Sequence, residues 1–283
     1  MSDVLERIVA ATWLRITREP SDRAAAERAA ALRVPFAFSA ALRRDGVNVI
    51  AEIKAASPSA GPILTDPDIE GIAEEYERGG AAAISVVAEP EFFGGSRQWI
   101  GRARTSGLPV IMKDFIVAPS QLMNGIAAGA DAVLLLASLL DGPRIREFIG
   151  LLDAYGCDAL VEVHDESELE RAVEGGARLI GVNNRNLRDF SVDLGTSERL
   201  GAAIPPGVVK VSESGIKRAG DVTRLRAAGF NAFLVGESLL RQGDHSAAVR
   251  ALVNDEEAKH IIRFSPEDGE GEELEFGTVW RSR

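Results

Sequence analysis

The sequence predicts an α/β protein built as a (β/α)8 TIM barrel with an N-terminal helical extension. Eight short runs rich in Val, Ile and Leu recur along the chain, and their ends lie 21 to 35 residues apart. The runs lack polar alternation, which is typical of strands buried on both faces, and amphipathic segments separate them. Eight such βα units within about 200 residues favour a closed barrel over an open doubly wound sheet.

The runs place the predicted strands in order. They cover residues 47–54, 82–89, 109–114, 131–136, 158–164, 178–184, 208–214 and 231–237. Between the strands, apolar residues recur at helical spacing, as Ile69, Ile72, Ala73 and Tyr76 do after the first run. The alternation of the two periods therefore predicts a strand followed by a helix, eight times.

Two segments lie outside this repeat and complete the predicted domain organisation. Residues 1–46 form a helical extension that we expect to cap one end of the barrel, and residues 47–254 form the (β/α)8 barrel domain. Residues 255–283 hold nine acidic and four basic side chains. We expect this acidic C-terminal extension to be partly mobile, although its apolar end leaves docking onto the barrel or a neighbour open.

The composition restricts the class of function. Hydrophobic residues make up 46% of the 283 residues and charged residues 27%, as in an ordinary globular domain. The single Cys157 excludes a disulfide framework, and no Cys/His cluster offers a metal site. A net charge of −11 argues against nucleic-acid binding. No apolar run is as long as a membrane span, so we expect a cytoplasmic protein that is a monomer or a weak homodimer.

Charged and polar residues stand at the ends of several predicted strands, where a barrel builds its active site. Side chains alternate along a strand, so Glu52 and Lys54 share a face, as do Glu162 and His164. A single strand-end charge is more often a solvated rim residue, and His164 is more often structural. The whole set, however, is costly without a ligand or mutual pairing. The candidates are Glu52, Lys54, Lys113, Glu162, Asn183, Arg185 and Glu213.

A separate signal predicts a phosphate site. Ser214-Gly215 follows the seventh strand and Gly236-Glu237 follows the eighth, the two positions where many barrels bind phosphate through backbone N–H groups. Tight turns with helix capping by Ser238 explain each short motif equally well, but their occurrence on consecutive strands favours phosphate. No dinucleotide or nucleotide-triphosphate fingerprint is present in the right context, so we expect no nucleotide cofactor.

These residues lie in motifs that span all eight predicted strands, over roughly residues 1–254. The motifs are AEIKAASPSAGPI (51–63), EPEFFGGS (89–96), PVIMKDFIV (109–117), GADAVLLL (129–136), LVEVHDESEL (160–169), IGVNNRNL (180–187), VSESGI (211–216) and AFLVGESLLR (232–241). On these motifs the chain resembles indole-3-glycerol phosphate synthase of tryptophan biosynthesis. The resemblance implies a carboxy-lyase that acts on a small phosphosugar-anthranilate, 1-(2-carboxyphenylamino)-1-deoxyribulose 5-phosphate. The implied products are indole-3-glycerol phosphate, CO2 and water, formed without cofactor or metal.

The resemblance also implies roles for residues. It places the general acid on Lys113 and the base on Glu162. The other implied catalytic positions are Glu52, Lys54, Asn183 and Glu213. The implied substrate-binding positions are Ser57, Pro58, Phe93, Phe115, Leu134, Arg185 and Leu234, with phosphate on Ser214, Gly215, Gly236 and Glu237. Whether Lys54 binds the carboxylate or the phosphate stays open, and ordinary barrel core competes strongly as an explanation for Leu134 and Leu234.

Two expectations concern proton transfer. A lysine among other cations in an enclosed site has a lowered pKa, so we expect Lys113 to release its proton readily. Partial desolvation makes a glutamate a stronger base, so we expect a raised pKa at Glu162.

Two departures from the family pattern and two alternatives stay open. Ala60 stands where the family often has lysine, and Ala88 where threonine is common. Neither touches the implied acid or base, so we expect them to alter affinity or loop behaviour. A different phosphosugar barrel enzyme, such as phosphoribosylanthranilate isomerase, would not need the whole charged set. A non-catalytic binder would have little reason to keep charges that cost stability.

Overall fold

The strand prediction is confirmed by a closed barrel of eight parallel strands. The computed structural model describes residues 3–58, 60–186 and 189–254. Each strand pairs with its neighbours in chain order, and β1 also pairs with β8, which closes the barrel. The strands β1 to β8 are Asn48–Ile53, Ala83–Val87, Val110–Lys113, Ala132–Leu136, Asp158–Val163, Leu179–Asn183, Val209–Glu213 and Ala232–Val235.

Helices surround the barrel and precede it. Before β1 lie α1 (Asp3–Ile16), α2 (Arg23–Ala31) and α3 (Ala37–Leu42). After β1, a short hairpin pairs Ala56–Ser57 with Gly61–Pro62. The remaining helices are α4 (Ile69–Gly79), α5 (Gln98–Ala103, continued by a 3-10 turn over Arg104–Ser106), α6 (Pro119–Ala127), α7 (Gly142–Asp153), α8 (Glu166–Glu174), α9 (Gly195–Gly201), α10 (Ala219–Ala227), α11 (Glu237–Leu240) and α12 (His245–Val253). No helix within the described ranges is long and apolar enough to cross a membrane.

The barrel interior is layered, because strand alternation sends every second side chain inward. Ile50, Ile111, Leu160 and Val211, from the odd-numbered strands, fill one apolar layer and are completely buried. Two residues farther along the same strands stand Glu52, Lys113, Glu162 and Glu213. The layer nearest the C-terminal mouth of the barrel is therefore charged, whereas the layers below it are mostly apolar.

The N-terminal helices contact both ends of the barrel. Phe38 and Leu42 of α3 are completely buried against the inner cluster, at the N-terminal ends of the strands. At the opposite end, Val4, Leu5 and Ile8 of α1 line the mouth. The helix α2 connects these two positions and packs along α6. Residues 255–283, where the sequence predicts an acidic extension, lie outside the described residues.

The contact that joins α3 to the barrel is a long-range helix cap. Asp158, at the start of β5, is almost fully buried, and its carboxylate accepts the backbone N–H of Ser39 in the first turn of α3 at 2.9 Å. No side chain of the helix itself caps that end. A barrel residue therefore supplies the cap that the extension lacks.

We expect Asp158→Ala to lower the free energy of unfolding by about 1–2 kcal/mol, because the substitution leaves the helix N–H group buried without an acceptor. Urea denaturation monitored by circular dichroism measures the change. Asp153→Ala is the control: it removes a half-exposed ion pair with Arg178, which is worth about 0–1 kcal/mol. Equal losses in the two variants would contradict the capping role.

Candidate active site at the barrel mouth

The centre of the barrel mouth is the ammonium group of Lys113. Its Nζ lies 3.0 Å from Glu213 Oε2, 3.4 Å from Glu52 Oε2 and 4.0 Å from Glu162 Oε2. The lysine and the three carboxylates come from β3, β7, β1 and β5, so they form one barrel layer. Because all three carboxylates are buried, the lysine is the shared counter-ion of a water-poor charge cluster.

Two other cations complete the charge balance. Lys54 Nζ lies 2.7 Å from Glu52 Oε1, as the shared strand face predicted. Directly after β5, His164 Nε2 lies 3.3 Å from Glu162 Oε1, and its Nδ1 lies 2.9 Å from Glu168 Oε2 on α8. Burial lowers the pKa of His164, but these two carboxylates outweigh burial and raise it to about 10. The imidazole therefore carries a positive charge beside Glu162 at neutral pH.

The expected pKa shifts of the acid and the base are both wrong for the protein without substrate. Burial alone lowers the pKa of Lys113, but its nearest charges are carboxylates, and they raise the pKa above its usual range. Burial raises the pKa of Glu162, yet His164 and Lys113 outweigh it and hold the pKa at about 2. The sequence-based expectation failed because it could not tell which strand-end charges meet across the barrel.

The two remaining carboxylates of the layer, Glu52 and Glu213, have different pKa values. Burial raises the pKa of Glu52, but Lys54 and Lys113 hold it at about 2. Burial raises the pKa of Glu213 to about 7, with Lys113 opposing the change and Glu162 and Glu52 adding to it. One oxygen of Glu213 has no hydrogen-bond partner within the described part of the chain. The cluster therefore holds one carboxyl that titrates near neutral pH.

Two glycines make room for these carboxylates. A Cβ atom on Gly181 would lie 2.1 Å from Glu213 Oε1, and one on Gly236 would lie 2.6 Å from Glu52 Oε1. Both distances are far inside van der Waals contact. Any side chain at either position would push a carboxylate away from Lys113.

Above the charged layer opens a cavity of about 1050 Å³. It contacts all but one of the residues that the sequence analysis singled out for catalysis and binding. Those that line it are Glu52, Lys54, Ser57, Pro58, Phe93, Lys113, Phe115, Leu134, Glu162, Asn183, Arg185, Ser214, Gly215, Leu234, Gly236 and Glu237. Glu213 does not line it but lies behind Lys113. The structure thus brings the predicted residues together around one cavity.

One side of the cavity is apolar. The rings of Phe93 and Phe115 lie 6.0 Å apart at a tilted angle, and Leu134 and Leu234 form the floor while also belonging to the barrel core. Residues of α1 close this side, which the sequence analysis did not anticipate. Arg15 of α1 holds the helix there through two hydrogen bonds to Asp114, 2.8 and 2.9 Å long. Leu5 and Ile8 lie three residues apart, so the sequence indicates that they share a helix face. It does not indicate that this face packs on the cavity.

Asn183 and Arg185 line another wall. Asn183 donates a hydrogen bond from Nδ2 to Glu162 Oε1 at 3.0 Å, so it orients that carboxylate. Its own Oδ1 accepts the backbone N–H of Arg185. The Arg185 guanidinium lies apart from the Lys113 cluster and donates to the carbonyl of Phe190 at 3.3 Å.

The two predicted phosphate loops are adjacent at the far end of the cavity. Ser214 and Gly215 have left-handed backbone angles, with φ of 66° and 85°. Ser238 Oγ donates to the carbonyl of Ile216 at 3.1 Å, which ties the loop after β8 to the loop after β7. Three cations that the sequence analysis passed over, Lys217, Arg218 and Arg241, line the same end. Arg218 lies 3.5 Å from Asp221 and Arg241 lies 2.8 Å from Glu237, so this end of the cavity carries a small excess of positive charge, which suits an anion.

Cys157 does not line the cavity. It is completely buried at the N-terminal side of β5, and burial raises the pKa of its thiol to about 12. A buried neutral thiol is a poor nucleophile.

Solved structures with low sequence identity share the fold alone. A thiamine phosphate pyrophosphorylase from Pyrococcus furiosus superposes with a TM-score of 0.53 at 18% identity, covering 73% of this chain and 93% of that one. A mandelate oxidase variant superposes with a TM-score of 0.57 at 15% identity, covering 76% of this chain and 74% of that one.

Matches at the level of sequence are far closer. Residues 5–252 match the family described as indole-3-glycerol phosphate synthase. A protein of that name from Ruminiclostridium cellulolyticum is 43% identical over 255 residues, which cover 88% of this chain and 98% of the relative. Indole-3-glycerol phosphate synthase 1 of Streptomyces coelicolor is 47% identical over 228 residues, covering 80% of this chain and 85% of the relative. With its motifs gathered around one barrel mouth, the chain belongs to the indole-3-glycerol phosphate synthase family.

Proposed function

We propose that this chain converts 1-(2-carboxyphenylamino)-1-deoxyribulose 5-phosphate to indole-3-glycerol phosphate, with release of CO2 and water, at the barrel mouth. The observation that carries the proposal is the buried Lys113 ammonium beside Glu162, at the floor of a cavity with one apolar side and one cationic end. A net charge of −11 argues against a nucleic-acid partner, and we propose that the protein is cytoplasmic and a monomer or weak homodimer.

The cavity has a place for each part of the substrate. The anthranilate ring fits the apolar side between Phe93, Phe115 and α1, and the phosphate fits the loops around Gly215 and Gly236. Lys54 and Arg185 are the cations available for the carboxylate. Holding the ring and the phosphate at opposite ends places the ketone over Lys113, which lowers the entropic cost of ring closure.

Ring closure begins when the ring carbon attacks the ketone and negative charge develops on the ketone oxygen. A fixed ammonium stabilises that charge, and Lys113 then transfers its proton to the oxygen. The surrounding carboxylates keep the lysine charged until that moment. A raised pKa does not prevent the transfer, because an alkoxide is a far stronger base than an amine.

The acid step prepares the base step. The positive charge of Lys113 is one of the causes that hold the pKa of Glu162 low. When Lys113 gives up its proton, that cause disappears and Glu162 becomes a stronger base. The carboxylate leaves as CO2, which restores the aromatic ring. The hydroxyl then leaves as water after taking up a second proton, for which Lys54 is available, and Glu162 accepts the proton lost from the adjacent carbon. Asn183, at 3.0 Å, keeps the carboxylate oriented throughout. Glu52 and Glu213 hold the two lysines, and Glu52, which lines the cavity, also lies within reach of substrate hydroxyls.

We expect Lys113→Arg to reduce kcat by about 10²- to 10⁴-fold, because a guanidinium keeps the counter-charge for the three carboxylates but does not release its proton. Product formation is followed by indole fluorescence with EDTA present. Lys210→Arg, on the outer side of β7, is the matched control and should leave kcat unchanged. Turnover within about tenfold of wild type for Lys113→Arg would rule out the acid role.

We expect Glu162→Gln to reduce kcat by about 10²- to 10⁴-fold with little change in KM, since the amide keeps the hydrogen bond from Asn183 but accepts no proton. Steady-state kinetics on the folded variant measure both constants. The exposed Glu166→Gln controls for the loss of one surface carboxylate. A large rise in KM at unchanged kcat would instead make Glu162 a binding residue.

We expect kcat/KM to fall as the pH decreases below about 7, the pKa of Glu213, because protonation removes the closest counter-charge of Lys113. Glu52 and Glu162, which also face Lys113, titrate near 2 and stay charged throughout this range. The pH profile of Glu213→Gln should lack this limb. The substrate phosphate titrates in both proteins, so a limb that persists unchanged in the variant would assign the titration to the substrate.

A further inference from the structure

Asn184, the second residue of the Asn-Asn pair at the end of β6, lies outside the cavity. Strand alternation directs Asn183 inward and Asn184 toward the surrounding helices. Asn184 is nevertheless only 3% exposed, and it does not line the cavity. A buried amide must have its hydrogen bonds satisfied, so its partners show what it holds together.

On one side, Asn184 binds the start of the proposed phosphate loop. Its Nδ2 donates to the carbonyls of Glu213 at 3.0 Å and Ser214 at 3.1 Å, and to Ser212 Oγ at 3.0 Å. Its backbone N–H also donates to the Glu213 carbonyl, at 2.9 Å. These bonds fix the backbone where the chain leaves β7.

On the other side, Asn184 binds the segment between β6 and α9 and the first turn of α9. Its Oδ1 accepts the backbone N–H of Ser197 at 3.0 Å, and its carbonyl accepts that of Asp193 at 3.0 Å. Ser197 Oγ and Ser212 Oγ lie 2.8 Å apart and close the network. One side chain therefore joins two loops that both contribute to the cavity wall.

These two loops meet at the phosphate end of the cavity. A Cβ atom on Gly215 would lie 2.5 Å from Val192 Cγ1, so Val192 packs directly on the phosphate loop. Ser214 has a left-handed φ of 66°, which is unfavourable for a residue with a side chain and persists only where its surroundings impose it. The Asn184 bond to the Ser214 carbonyl is one of the contacts that impose it.

We propose that Asn184 is a positioning residue for phosphate binding, which holds the loop after β7 and the loop after β6 in their binding geometry without touching the substrate. The proposal rests on the proposed phosphate site at Ser214 and Gly215. It assigns Asn184 to affinity for the phosphate group and not to the chemical step.

The test compares Asn184→Ala with wild type in the intact chain. We expect KM for the substrate and the inhibition constant of inorganic phosphate each to rise about tenfold, the effect of losing one to two hydrogen bonds, while kcat changes by less than about threefold. Affinity for the substrate lacking its phosphate should not change. Asn184→Ser, which keeps a hydroxyl donor, should give a smaller rise and remains informative if the alanine variant does not fold.

Asn48→Ala is the matched control. Asn48 is also buried, 5% exposed, and its Nδ2 also donates to three carbonyl oxygens, those of Leu42, Arg44 and Asn231, at 3.0 to 3.1 Å. It lies at the opposite end of the barrel. We expect this control to lower the thermal midpoint as Asn184→Ala does, but to leave KM and phosphate inhibition unchanged.

The outcomes separate the two proposals. If inorganic phosphate competes with substrate in wild type and equally in both Asn184 variants, the positioning role is overturned while the phosphate site stands. If kcat falls as strongly as affinity, or if the dephosphorylated substrate also binds more weakly, Asn184 has a general structural role and the proposal fails. If phosphate does not compete in wild type, the phosphate site and the positioning role fail together.

Discussion

The ammonium of Lys113, placed among the carboxylates of Glu52, Glu162 and Glu213, is the interaction on which the rest of the site depends. Three buried carboxylates in one barrel layer would repel each other and lose hydration if no cation lay between them. Lys113 satisfies that requirement from β3, the one odd-numbered strand that carries no carboxylate in this layer, and Lys54 and His164 balance the remaining charge. The positions of the strands, the glycines at 181 and 236 and the orientation of Asn183 all serve this arrangement. The geometry of the site is therefore a consequence of charge balance in a low-dielectric layer.

In the mechanism proposed above, charge balance also explains how a cluster of opposite charges serves acid and base chemistry. Each proton that moves changes the field at every neighbouring group, so the groups titrate as a set. A lysine that is strongly paired holds its proton until a stronger base forms on the substrate. Its loss of charge then strengthens the neighbouring glutamate. The order of the proton transfers is thus built into the spacing of Lys113 and Glu162 rather than into the intrinsic acidity of either residue.

The sequence predicts which residues lie at the strand ends, but it does not predict which of those residues contact one another. The two-residue period identifies Glu52, Lys113, Glu162 and Glu213 as strand-end groups, because that period is local. Which of them face one another depends on the stagger of the strands in a closed barrel, and no local sequence pattern specifies that stagger. For this reason the predicted directions of the pKa shifts of Lys113 and Glu162 were wrong. The same limit applies to α1, whose apolar face is evident but whose place at the cavity is not. It applies equally to Asn184, whose side-chain hydrogen-bond partners lie 13 to 30 residues away in the sequence.

The path of the N-terminal extension has a consequence for the order in which the chain acquires structure during synthesis. The extension is made first, but each of its helices is anchored by residues made much later. Arg15 pairs with Asp114, the N–H of Asp22 binds Asn124, and the cap of α3 is Asp158. The anchors of α1, α2 and α3 therefore lie 99, 102 and 119 residues farther along the chain than the residues they hold, so the helices are synthesised well before their docking surface. Until these anchors are synthesised, the apolar faces of α1 and α3 lack their packing partners, and apolar surface left exposed in this way is prone to aggregation.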